Sequence, residues 1–181
     1  MLIVIAALEL VLSVIIAQHL YPGYSLSNNY ISDLGVGATA AIFNTSIQAF
    51  GVLLLLAACL IYSAGAHRYV ALAFVIAALG GIGVGTFPET TGLLHVISAT
   101  VVFGTVAVMA LGFCRILGGR LAGYSLAAGL LGVAVFVLFA LSLLGIRVNF
   151  GLGAGGIEEI LFYDELAWAV MVGAGFSKGR I

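Results

Sequence analysis

Charge is what this sequence most lacks. Lys, Arg, Asp and Glu make up only 7% of its 181 residues, whereas soluble domains carry about 25%. With a hydrophobic share of 64% and a mean hydropathy of +1.30, a water-soluble fold is excluded. The formal net charge of −1 supplies no basic surface, so no nucleic-acid partner is expected. Cysteine is scarce as well: Cys59 and Cys114 stand apart without CxxC spacing, and both read as packing residues. Room for a second unit is also missing. The longest stretch between apolar runs, residues 21–38, is too short for a core of its own.

What is present is a series of long apolar runs. A helix rises ~1.5 Å per residue and the hydrocarbon layer is ~30 Å thick, so about 18 nearly uncharged apolar residues suffice to span it. Six such runs occur, over residues 2–20, 39–64, 69–87, 92–114, 121–146 and 157–176. The expectation is an all-α polytopic membrane helix bundle with six transmembrane helices. It forms one domain over residues 1–181, multi-pass in the cell membrane and in contact with membrane lipids. The first run has no basic leader, carries Glu9 and ends in Gln18-His19 without a small-residue cleavage site, so it reads as a retained helix.

The few charges are segregated. Six spans place both termini on one side, and Arg68, Arg115, Arg120, Lys178 and Arg180 fall there, with only Arg147 opposite. The positive-inside bias then predicts cytoplasmic termini. Asp33, Glu89, Glu158, Glu159, Asp164 and Glu165 gather toward the other side, leaving only Glu9 of the seven acids elsewhere. His19 and His95 join them. Asp164 and Glu165 fall well inside the last span, where an ionised carboxylate among acyl chains is costly, so at least one must face protein or water. Glu9 shares a helical face with Ser13, and Asn44 with Gln48, spacings suited to hydrogen bonds inside the bundle. Gly81 and Gly85 have the GxxxG spacing of closely packed helices.

Motifs of known chemistries are incomplete. Residues 151–156 read GLGAGG, a literal GxGxxG, but without the strand that places phosphate at a helix N-terminus. They are expected to form a flexible outer turn, with Glu158 and Glu159 in the first turn of the last helix, where the dipole favours anions. Intramembrane aspartyl proteolysis needs two aspartates on facing helices; Tyr163-Asp164 is present, yet Gly151-Leu152-Gly153 is followed by Ala154. Ser125 has no histidine partner for rhomboid-type chemistry. A ceramidase-like zinc site needs about three histidines, and of the three here His67 lies on the wrong side. A mixed site of His19, Asp33 and His95 with Glu89 or Glu158 is chemically possible. Haem held between His19 and His95 would require both at matching depth.

Three sequence blocks carry a family resemblance. Tyr21-Pro22-Gly23-Tyr24-Ser25 leads to Asn29-Tyr30-Ile31-Ser32-Asp33-Leu34-Gly35 and Phe43-Asn44. Gly83-Val84-Gly85-Thr86-Phe87-Pro88-Glu89 is followed by His95, and Gly155-Gly156-Ile157-Glu158-Glu159 by Trp168. Over nearly its whole length the chain resembles the domain-of-unknown-function family 998 of bacterial and archaeal membrane proteins. The resemblance implies a six-helix fold and a shared outer site built from Ser32, Asp33, His95 and Glu158. Where that family favours Glu-Arg, this chain has Glu158-Glu159, so a Glu-Arg pairing does not carry over. No activity or cofactor is implied.

Three functions fit these residues. The first is an outward-facing polar cavity, with Ser32, Asp33, Glu89, His95 and Glu158, that binds a lipid headgroup, cation or small polar ligand. The second is a membrane-embedded hydrolase or transferase acting on a lipid at the outer leaflet, with His95 as general base, Asp33 orienting it or holding a metal, and Glu158 a further catalytic candidate. The third is an accessory subunit of a membrane complex.

Overall fold

The computed structural model describes residues 1–65, 68–146, 148 and 150–177. Arg147, Lys178 and Arg180, which enter the charge argument above, and His67, which enters the zinc argument, lie outside the described residues. Six long helices carry the fold: α1 (Leu2–Leu20), α2 (Ala40–Ser63), α3 (Arg68–Thr86), α4 (Leu93–Phe113), α5 (Gly119–Leu143) and α6 (Gly153–Ser177). Short 3₁₀ turns stand at Ile31–Gly35, Gly37–Thr39 and Glu89–Thr91. All six helices are long and apolar enough to cross a membrane, and no strand occurs among the described residues. This is a multi-pass membrane protein.

The helices form a closed ring. Each packs on its neighbours in sequence, α6 closes onto α1, and α4 also meets α6 across the centre. The Met1 amino group donates to Ser177 Oγ at 2.7 Å, so both ends of the described chain sit at one end of the bundle. That end is called the terminal end here; the opposite one, carrying residues 21–39 and the Glu89–Thr91 turn, is the loop end. Arg68, Arg115 and Arg120 lie at the terminal end, and no Lys or Arg among the described residues lies at the loop end.

Small residues set the spacing of the ring. A Cβ on Gly85 would stand 2.6 Å from Asn44 O, one on Gly51 2.7 Å from Ala78 O, and one on Gly80 2.7 Å from Val102 N. Backbones therefore touch between α2 and α3 and between α3 and α4, the close approach expected of Gly81 and Gly85. Gln48 Nε2 donates across α2 and α3 to Thr86 Oγ1 at 3.3 Å. Asn44 Nδ2 instead reaches the Gly35 carbonyl at 3.0 Å, pinning the loop. Ser13 and Ser46 hydroxyls both donate to Glu9 Oε1, at 3.0 and 2.8 Å, so this acid is tied to α2.

Two expectations are corrected. Residues 153–156 are not a flexible turn: α6 begins at Gly153, which puts Glu158 and Glu159 beyond its first turn. The reason is tertiary. A Cβ at Gly153 or Gly155 would overlap the Ser27 or Asn29 carbonyl oxygen, and Gly155 N donates to Ser27 O at 3.3 Å. The glycines are a landing strip for the loop, and this packing overrides their low helix propensity. Cys59 is not a packing residue either; it is free and exposed on α2, on the face that also presents Val52, Leu56 and Leu60 outward.

Candidate functional site

The site grows from the 21–39 loop. With the α6 glycines beneath it, this loop folds flat across the bundle. Asn29 fastens it twice, accepting from Ser25 N at 3.1 Å and donating to Asp33 Oδ2 at 2.8 Å. The Ile31–Gly35 turn leaves its first N–H groups without partners inside the turn, as any helix start does. Glu158 on α6 supplies one: Ile31 N–H donates to Glu158 Oε2 at 2.5 Å. Thr39 Oγ1 closes the loop on Leu34 O at 2.8 Å.

The second half of the site comes from the α3–α4 connection. Pro88 precedes the Glu89–Thr91 turn, which sets the Glu89 carboxyl beside that of Asp33. Burial pushes Glu89 up to about 7, and the hydrogen bond and charge of Asp33 add to the effect. Two carboxylates side by side resist simultaneous ionisation, so they hold one proton or share a cation. His95, in the first turn of α4, bonds the Phe87 carbonyl through Nδ1 at 2.8 Å. A carbonyl only accepts, so Nδ1 carries the proton, and in the neutral ring Nε2 is the free acceptor.

Three recesses connect these groups. An open groove at the loop end is lined by Tyr21, Asp33, Val36, Glu89 and Thr90. A crevice beside it runs between Ser32, Glu89 and His95 on one side and Phe139 and Leu143 of α5 on the other. The third recess, a central cavity of about 50 Å³, is walled mainly by apolar side chains and takes in Ser32, His95, Glu158 and Glu165. Glu89 belongs to both groove and crevice, and Ser32, His95 and Ala99 to both crevice and cavity. The recesses therefore follow one another from the surface inward.

Of the residues singled out in the sequence, Ser32, Asp33, Glu89, His95 and Glu158 thus come together around these recesses. Glu158 is 3% exposed and within electrostatic range of Asp33 and Glu89. His19 is exposed at the end of α1 and lines none of the three recesses. Among the described residues no three His, Cys, Asp or Glu side chains are grouped to hold a metal ion, so His19, Asp33 and His95 do not form such a set. The orienting partner of His95 is Phe87 O, whereas Asp33 is engaged with Asn29.

Glu159 has a different task from its neighbour. Gln18 Nε2 and Tyr24 Oη both donate to its Oε1, at 2.6 and 2.9 Å, joining α6, α1 and the loop. Burial and the Glu159 charge hold the Tyr24 hydroxyl well above the usual phenol range. Sequence reasoning missed Tyr21, Tyr24 and Gln18 as parts of this end. Only the Tyr21-to-Ser25 block hinted at the two tyrosines. The sequence required that Asp164 or Glu165 face protein or water, without assigning either to a site. Glu165 is buried against the central cavity, and Asp164 is half-buried facing α5, where a Cβ on Gly132 would lie 3.3 Å from its Oδ2.

A family model described as a protein of unknown function, DUF998, matches residues 4–175. No curated protein and no solved structure matches the chain.

Proposed function

The chain belongs to the DUF998 family, and from that premise we propose that its loop end faces outward and binds a cationic group, either a small organic cation or the cationic headgroup of a lipid. The observation that carries this reading is the pairing of Asp33 and Glu89 in a groove shared with Tyr21. Two carboxyls offer charge, and an aromatic ring offers its negative face to a cation such as a quaternary ammonium. No described Lys or Arg stands nearby to neutralise the carboxyls. The adjoining crevice, with Glu89 and His95 opposite Phe139 and Leu143, matches the polar head and apolar chain of a lipid.

Binding of choline and of phosphatidylcholine to the purified protein tests this, because they share the trimethylammonium group and differ in the chain. Binding of either, lost in the double variant Asp33→Asn, Glu89→Gln, supports the reading. Equal binding by the double variant, or by neither protein, overturns it. Preference for phosphatidylcholine assigns the crevice to an acyl chain. One observation favours the hydrolase or transferase reading as well: the Phe87 carbonyl fixes the His95 tautomer, which leaves Nε2 able to accept a proton.

A further inference from the structure

Glu165 is the one buried acid with no task in the site above. It stands at the thirteenth position of the 25-residue α6, about 18 Å along the axis from Gly153 at ~1.5 Å per residue. It is 6% exposed, its Oε1 has no hydrogen-bond partner, and it lines the central cavity. Glu9 also has an unpartnered oxygen, but two serines occupy its other one and it lines none of the three recesses. A carboxyl without partners, at mid-membrane and aimed into a void, is a costly arrangement to keep for packing alone.

The void decides what this carboxyl can take. At about 50 Å³ the cavity admits a few water molecules and no organic ligand. Metal cations of the calcium type require six or more oxygens, and apart from Ser32, His95, Glu158 and Glu165 the side chains that line the cavity are apolar. A proton needs one oxygen only. The titratable groups nearby are Asp164 on the same helix, Glu158 of α6 and His95 of α4 at the loop-end side of the cavity. From α1, α2 and α3 only apolar side chains line it, and α5 contributes none of its walls.

We propose that Glu165 is a proton-binding site reached by water from the loop end through the Ser32, His95 and Ala99 neck. Toward the terminal end the cavity is sealed by stacked rings. Phe74 and Trp168 line it, and both meet Phe113 edge-on, at 6.4 and 5.3 Å between centroids. Phe176 lies behind, 6.4 Å from Phe113. Trp168 is fixed by its Nε1 donating to Ser125 Oγ at 2.8 Å, which donates in turn to Ala110 O at 2.7 Å. The arrangement is a half-pathway: open to protons on one side, closed on the other. It does not depend on a cation at Asp33 and Glu89.

Infrared difference spectra of the full chain in liposomes test this. Wild type minus Glu165→Gln is expected to show a protonated-carboxyl band at neutral pH that shifts after transfer to heavy water. Ala99→Leu fills the neck and is expected to keep the band while slowing its exchange at least about tenfold, a barrier rise of ~1.4 kcal/mol. Absence of the band, a band that never exchanges, or unchanged exchange in Ala99→Leu each overturns the proposal. Should Glu165→Gln not fold, Glu165→Asp replaces it: a carboxyl on a shorter side chain is expected to move the protonated-carboxyl band to a different frequency, and an unmoved band overturns the proposal.

Discussion

The two ends of the bundle are built by different rules. At the terminal end, Phe74, Phe113, Trp168 and Phe176 stack edge to face and hide a single polar chain, Trp168 to Ser125 to Ala110 O. At the loop end the packing units are polar: Ile31 on Glu158, Asn29 on Asp33, Gln18 and Tyr24 on Glu159. Rings contribute through contact area, so truncation leaves a hole. Polar pairs contribute little net stability, yet removing one partner strands the other. Damage to the terminal end should therefore cost folding, and damage to the loop end should cost the site.

The largest expected effect is at the terminal end. Trp168→Ala removes a side chain 2% exposed, and its loss should destabilise by about 3–5 kcal/mol, the range for large buried aromatics. Thermal unfolding in detergent checks this, and choline binding by the surviving folded fraction should be unchanged. A variant as stable as wild type would show that the ring cluster is not what holds this end together.

Next comes Glu158, where exchange chemistry separates shape from charge. Glu158→Ala leaves the Ile31 N–H buried without an acceptor, worth about 1–3 kcal/mol. Glu158→Gln keeps an acceptor oxygen and should recover most of that stability. If Glu158 contributes its charge to the site, both variants bind choline more weakly than wild type. Equal loss of stability in the two would mean that the carboxylate charge, and not the hydrogen bond to Ile31, holds the loop.

The third effect is pH, and its sign differs between binding and stability. Glu89 lies near 7, so it is charged above that pH and protonated below. For one proton linked to binding, choline affinity should fall about tenfold between roughly pH 8 and pH 6. Glu89→Gln should flatten the profile. Stability of the empty protein runs the opposite way. The folded state holds this proton more tightly than the unfolded chain, so stability falls as pH rises from the ordinary carboxylate range through about 7. Opposed slopes in the two measurements mark a group strained for binding; parallel slopes would assign Glu89 to scaffolding.

The same contrast explains what could be read in advance. The six spans were legible because apolar length is a local property, and the Leu2–Leu20 helix matches its expected bounds. Acids at the loop end were legible because charge is rare in this chain. What was hidden depends on which helices are neighbours. That Glu165 faces a cavity while adjacent Asp164 faces α5 is a matter of helix rotation, set by the ring. The glycines from Gly153 to Gly156 were misread because a glycine run looks like a turn until the Ser27 and Asn29 carbonyls that require it are in place. Tyr21 became part of the site only when the loop folded back beside Glu89.

The smallest effect lies between the two ends. Glu9 Oε1 takes bonds from Ser13 on its own helix and from Ser46 on α2, which makes it an intramembrane acid with partners, unlike Glu165. Ser46→Ala removes one donor and leaves the other, and polar contacts between membrane helices average only about 0.6 kcal/mol in double-mutant cycles. A cycle of Ser46→Ala with Glu9→Ala, which removes the acceptor, should therefore return a coupling near that value in unfolding measurements. A coupling several-fold larger would mean that Glu9 is ionised and that Ser46 solvates a charge. The division of labour would then be wrong, because the bundle would hold a second charged centre outside the cavity that leads to Glu165.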